Sequence, residues 1–156
     1  MAIEKVRSYF EKVGIADRIQ EFDVSSATVA LAAKALGCEE CQIAKTLSFY
    51  GNEKVILIVT SGDAKIDNAK FKSTFSMKAK MLSFDDAESL IGHAVGGVCP
   101  FAVNDGVEIF LDESLRRFNN IYPACGSSNS AICLTIDELE KYSSFLSWVD
   151  VCKINT

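Results

Sequence analysis

Apolar residues recur every three or four positions through the first segment, where Ile3, Val6, Phe10 and Val13 alternate with Glu and Lys before Gly14. That period predicts an amphipathic helix over residues 2–13, stopped by the glycine. A second helix is expected after Ser25-Ser26, whose hydroxyls can cap free N–H groups; it carries Val29, Ala32, Ala33 and Leu36 and ends at Gly37. After a short turn or helical stretch at Gln42-Ile43-Ala44 the pattern becomes strand-like over Lys45–Tyr50. Gly51-Asn52 then separates it from the β-branched run Val55–Val59, which predicts a hairpin closed by Ser61-Gly62-Asp63. Residues 64–80 read as helical. Ser83-Phe84-Asp85-Asp86 resembles a capping box opening a further short helix with Leu90 and Ile91 on its apolar face. Glycine and proline punctuate 92–100, followed by strands at Val107–Asp112, Asn120–Ala124 and Ala131–Leu134. Thr135 and Glu138 form a capping box for a last helix through Leu139 and Tyr142, and Trp148–Cys152 reads as a closing strand. Strands joined by hairpins and grouped between helices favour a mixed α+β fold over a doubly wound sheet.

Composition narrows this picture. The 156 residues suit one domain, 1–156, and 49% hydrophobic against 24% charged residues leaves no case for disorder. No apolar run approaches the roughly 20 residues of a membrane-spanning helix. A formal net charge of −5 argues against a uniformly basic nucleic-acid-binding surface. Locally the balance reverses: Lys65, Lys70, Lys72, Lys78 and Lys80 face only Asp67 within 64–83, a local charge of +4. Such an island is a solvated face or a phosphate-contacting patch. Six cysteines without a secretory leader point to a reducing, cytoplasmic setting with free thiols.

Cys38-x-x-Cys41 has the spacing of a redox dithiol or half a zinc site, but it follows a helix-stopping glycine and lacks a second close pair. Buried or incidental thiols are the reading favoured here. His93 is the single histidine, so any Ser–His or Cys–His mechanism must use it. Its place after Leu90-Ile91-Gly92 suits a cation at a helix C-terminus. Cys99, six residues on, is the thiol expected to line a pocket. Gly96-Gly97-Val98-Cys99-Pro100-Phe101 and Gly126-Ser127-Ser128-Asn129-Ser130 are loops in which a backbone can approach a ligand closely, and neither has a Walker or dinucleotide spacing.

Several stretches taken in order resemble one family. They are Ser26-Ala27-Thr28-Val29, Gln42-Ile43-Ala44-Lys45-Thr46-Leu47, Val55–Thr60 with Ser61-Gly62-Asp63, Val95–Phe101, Ile109–Leu115, and Ala124-Cys125-Gly126-Ser127 leading to Ala131–Leu134. Together they span about residues 20–140 and resemble the YbaK/EbsC and prolyl-tRNA synthetase-associated domains, which remove wrongly attached amino acids from tRNA. The resemblance implies a mixed, partly barrel-like sheet surrounded by helices, and a free-standing aminoacyl-tRNA deacylase needing no metal or cofactor. It puts Lys45 at the family's central functional lysine and Gly97–Pro100 at the loop bordering the amino-acid pocket. Asp112 and Gly126 fall on recurrent positions of the site region. After Gly126 the chain departs from the family, with Ser127-Ser128-Asn129 in place of a Gly/Lys/Arg-rich stretch.

On this basis Lys45 is expected to position substrate and stabilise developing charge. Gly96, Gly97, Cys99, Pro100, Phe101, Asp112, Gly126 and Ser127 are expected around the substrate, and Lys65, Lys70 and Lys72 against tRNA. The substrate class is misacylated tRNA carrying a small amino acid such as Ala or Cys, on tRNA for proline, with an aminoacyl-tRNA synthetase as a further partner. The rival readings are a non-catalytic module that binds a tRNA end or nucleotide or docks to a synthetase, and a thiol-dependent redox protein.

Overall fold

Chain order in the computed structural model, which describes residues 2–154, begins with α1 (Ala2–Lys12), β1 (Gln20–Glu21) and α2 (Val29–Leu36). The hairpin β2 (Ile43–Tyr50) and β3 (Val55–Ser61) follows, then β4 (Ala64–Ile66) and α3 (Asn68–Phe75). Helix α4 (Phe84–Asp86) runs on into a π-helical turn, Ala87–Ile91. The remainder is β5 (Val107–Asp112), β6 (Asn120–Pro123), β7 (Ser130–Ala131), β8 (Leu134–Thr135), α5 (Ile136–Ser143), β9 (Ser147–Val149) and β10 (Cys152–Ile154). The ends of the expected 1–156 domain, Met1, Asn155 and Thr156, lie outside the described residues.

Six strands make a mixed sheet in the order β8-β6-β2-β3-β5-β9, curled partly toward a barrel. The β2–β3 hairpin is antiparallel, whereas β2–β6, β3–β5 and β5–β9 are parallel. Every residue of β3 is buried, as a central strand covered on both faces must be. One face packs Val6 and Phe10 of α1 and Leu139 of α5 against Val59, Leu111 and Ile121. The other packs Phe71 of α3 and Val151 against Phe49, Ile56 and Ile58. Among the described residues no helix is long and apolar enough to cross a membrane.

Several expectations change in detail. Thr28, not Ser25 or Ser26, caps α2, its side chain accepting from Leu31 N at 3.2 Å. Ser26 instead ties the preceding segment to the loop after Gly126, its N–H donating to Ser128 O at 2.7 Å. The expected helix over 64–80 is strand β4, then α3 capped by the Asp67 carboxylate and stopped at Ser76 with φ 59°. Residues beyond it form neither helix nor strand and lead to Met81, which bridges Phe49. Ile91 is buried as expected, while Leu90 is exposed. The single strand expected at Ala131–Leu134 is split, β7 pairing with β1 and β8 with β6. Trp148–Cys152 also divides, β9 joining the main sheet and β10 pairing antiparallel with β4.

Candidate functional site

Strand β2 has two partial partners on its outer edge. Strand β6 covers Ile43 and Ala44, and the 80–82 segment covers the far end through Tyr50 N to Lys80 O at 2.9 Å and Leu82 N to Ser48 O at 3.2 Å. Between them, Lys45–Leu47 meet no strand on that side among the described residues. A cavity of about 480 Å³ opens at this gap. Its walls are α2 with the preceding Ser26–Thr28, the β2 edge, Met81, Leu82 and Phe84, Val95, Gly96 and Val98, and Tyr122, Ala124, Ser130 and Ala131. The volume lies in the range of small-molecule sites, and the lining is mostly apolar, with no carboxylate and no thiol among the described residues.

Two polar groups stand out in that lining. The Lys45 side chain is half-buried, and its ammonium donates to the Ala64 carbonyl. Burial lowers its pKa from the ordinary lysine value. Asp63, the carboxylate near it, is engaged by Arg117 at 2.6 and 3.0 Å, which together with the Ser61 hydroxyl at 2.7 Å holds its pKa low. The second group is the Thr46 hydroxyl, buried and without a hydrogen-bond partner among the described residues. A buried unsatisfied hydroxyl costs about 1–3 kcal/mol, and this one belongs to a residue of the cavity wall, next in the chain to Lys45. Sequence reading passed over Thr46 because its lack of a partner arises from tertiary packing.

The remaining expected residues separate into wall and support. Gly96 lines the cavity, and its φ of 97° turns the loop past Ala27. Gly97 lies behind it: a Cβ there would come within 2.6 Å of Ser127 N, so this glycine permits the two loops to touch. Its N–H donates to Ala94 O at 3.0 Å and is committed to the turn. Cys99 and Phe101 are fully buried in the core beside Phe10, away from the cavity. Pro100 borders a separate cleft with Tyr9 and Tyr142. Gly126, at φ 91°, packs on the backbone of Ala2, and the Ser127 hydroxyl is held within its own loop by Asn129 and Ser130. Asp112 is 1% exposed, and both carboxylate oxygens accept backbone N–H groups. Lys65 is exposed on β4 near Lys45, Lys70 pairs with Asp150 at 3.0 Å, and Lys72 lies on the outer surface of α3.

The thiol and imidazole groups are unsuited to nucleophilic work. Burial pushes the Cys99 thiol up to about 12. His93, expected as a helix-end cation, is fully buried with its pKa lowered by desolvation, so it is a neutral imidazole whose Nδ1 accepts from Cys99 N at 3.3 Å. Burial also raises Cys38 and Cys41, the reverse of what an active dithiol needs. A more open cleft of about 520 Å³ between Arg116, Trp148 and Glu140 contains none of the expected residues.

The sequence profile of the aminoacyl-tRNA editing domain matches residues 24–142, a span that includes Lys45, Thr46, the Gly96 loop and Gly126. The uncharacterised protein YwhH of Bacillus subtilis is 49% identical over 154 residues, covering 98% of both chains. A proline–tRNA ligase of Bacillus cytotoxicus is 26% identical over 94 residues, which is 60% of this chain and 16% of the ligase. A solved structure described as a candidate trans-editing enzyme for prolyl-tRNA synthetase superposes with a TM-score of 0.87 at 26% identity, covering 97% of each chain. With the profile spanning most of the chain and the curled mixed sheet shared with a solved relative, the chain belongs to the aminoacyl-tRNA editing domain family.

Proposed function

We propose that this editing domain acts in trans as a hydrolase, cleaving the ester between a small amino acid, such as Ala or Cys, and the 3′ end of a misacylated tRNA, with tRNA for proline the first candidate. The observation that carries the reading is a mostly apolar cavity, with no carboxylate in its lining among the described residues, whose β2 edge carries the half-buried Lys45 next to Thr46. An aminoacyl ester is already activated, so hydrolysis needs an oriented ester, an admitted water and donors for the developing oxyanion. A lysine ammonium has three donors. One reaches Ala64 O, leaving two for the terminal ribose or phosphate and the charge that develops on the carbonyl. With the Gly97 N–H committed to Ala94, the backbone donor assigned to the ester carbonyl is that of Gly96.

Short side chains at Ala27, Ala32, Ala44, Ala124 and Ala131 leave room for the terminal ribose as well as a small acyl group. Discrimination against larger amino acids is then steric, worth about 1–3 kcal/mol per methylene. The relationship to part of a proline–tRNA ligase supports tRNA for proline, and a synthetase as partner. The test is a panel of mischarged tRNAs with the purified chain. Release of a small amino acid, lost in Lys45→Ala, is the expected result; no deacylation of any member, or full activity in Lys45→Ala, overturns it. The lining offers no carboxylate or imidazole among the described residues to activate a water, which favours one alternative, a module that holds the tRNA end without turnover. Saturable binding without release in the same panel would establish it.

A further inference from the structure

Asp112 occupies a buried position between β5 and the C-terminal segment. One carboxylate oxygen accepts from Ser114 N and the other from Val151 N, each at 2.9 Å. Val151 in turn accepts from Asp67 N at 2.8 Å, and Lys70 on α3 reaches Cys152 O at 3.0 Å. These contacts place β10 against β4 in the register Cys152 to Ile66, Lys153 to Lys65 and Ile154 to Ala64. Ala64, fully buried, offers the carbonyl that the Lys45 ammonium bonds. The pairing uses residues beyond 142, outside the stretch matched by the editing-domain profile.

We propose that Asp112 and strand β10 are positioning elements for Lys45: the carboxylate anchors the C-terminal strand, the strand fixes β4, and β4 presents the Ala64 carbonyl that aims the ammonium at the cavity. This rests on the role given to Lys45 above. The groups facing the ammonium are consistent with a carbonyl tether rather than an ion pair. Asp63, in the β3–β4 turn, is held by Arg117; Cys152 of β10 has a thiol pushed up to about 12 by burial and is uncharged at neutral pH; Lys65 of β4 repels. Freed of the tether, the lysine would gain water, and its lowered pKa would rise toward the ordinary value.

The experiment uses the full chain and two variants. Asp112→Asn replaces an acceptor oxygen by a donor against two N–H groups. Ile154→Pro, at the exposed end of β10, disturbs the pairing opposite Ala64 with less risk to folding. The Lys45 13Cε resonance, assigned by its loss in Lys45→Arg, is titrated alongside deacylation kinetics. The expected result is a higher titration midpoint and a roughly 10- to 100-fold lower kcat with little change in KM, the size of effect that misplacement by about 1 Å produces. A wild-type Lys45 titration and wild-type kcat in folded Ile154→Pro overturns the proposal. The resonance reports the tether and deacylation reports the function, so a shifted resonance in a chain whose wild type deacylates nothing upholds the first and sinks the second.

Discussion

Thr46, next to Lys45 on the β2 edge of the cavity, has a buried hydroxyl with no hydrogen-bond partner among the described residues. Stability and activity should therefore respond in opposite directions. Thr46→Val keeps the shape and removes an unsatisfied polar atom, which should raise unfolding stability by about 0.5–1 kcal/mol in a urea titration. The same change should lower kcat/KM for a mischarged tRNA about tenfold, the worth of one hydrogen bond to substrate. A fall in both would mean that the hydroxyl has a structural partner. Gly97 makes the contrasting case. Gly97→Ala drives a Cβ into the Ser127 and Gly126 backbones at 2.6–2.8 Å, so the two loops must separate. We expect a loss of about 1–3 kcal/mol in the same urea titration, with any activity lost following the unfolded fraction.

Elements whose signals are local were legible in the sequence. The β2–β3 hairpin follows from Gly51-Asn52 between two apolar runs, and α5 from the reciprocal Thr135 and Glu138 capping box. Elements that depend on distant partners were not. Strand β4 is three residues long and exists because β10, almost ninety positions later, pairs with it, so 64–66 merged into a helical reading although Asp67 carries an ordinary cap signal. Helix α5 is also joined to the turn after α1. Glu138 meets Arg18 at 2.6 Å and accepts from Thr135 N, which together hold its carboxyl down to about 2 from 4.5. A depressed carboxylate pKa stabilises the fold above the unfolded value, and the contribution is lost as pH falls toward the folded one. Wild type should therefore lose about 1 kcal/mol between pH 4.5 and 2 through this group, a figure reduced for the solvent exposure of Arg18. Glu138→Gln should show a correspondingly flatter stability-versus-pH curve across that window in chemical denaturation, and an unchanged slope would remove Glu138 from the acid sensitivity.

Across the whole molecule, legibility depended on how far a residue's role is shared with others. Lys45 was found through resemblance, and the fold does bring it to a cavity with Gly96. Cys99 and Phe101 were grouped with that loop by proximity in sequence, but their side chains enter the α1 core. Asp112 was found as a position, while its attachment to the C-terminal strand depends on the chain's return 39 residues later. Charge shows the same dependence on context. The net −5 is distributed so that Lys80, just before Met81 of the cavity wall, lies over the Tyr50 ring, Lys78 and Lys72 line a surface groove, and Lys70 is already paired with Asp150. A tRNA acceptor arm entering the cavity along this side would meet Lys78 and Lys72 on the surface, Lys80 already over the Tyr50 ring, and Lys70 as a neutralised cation. Each phosphate contact contributes about 0.7–0.9 to the slope of log affinity against log salt. Lys72→Gln with Lys78→Gln should thus lower the salt slope of KM by about 1.5 and leave kcat at saturation unchanged, whereas Lys70→Gln alone should change the slope by far less. Equal effects from the two variants would show that Asp150 releases Lys70 to the phosphates, and no effect from either would put the tRNA path on another face.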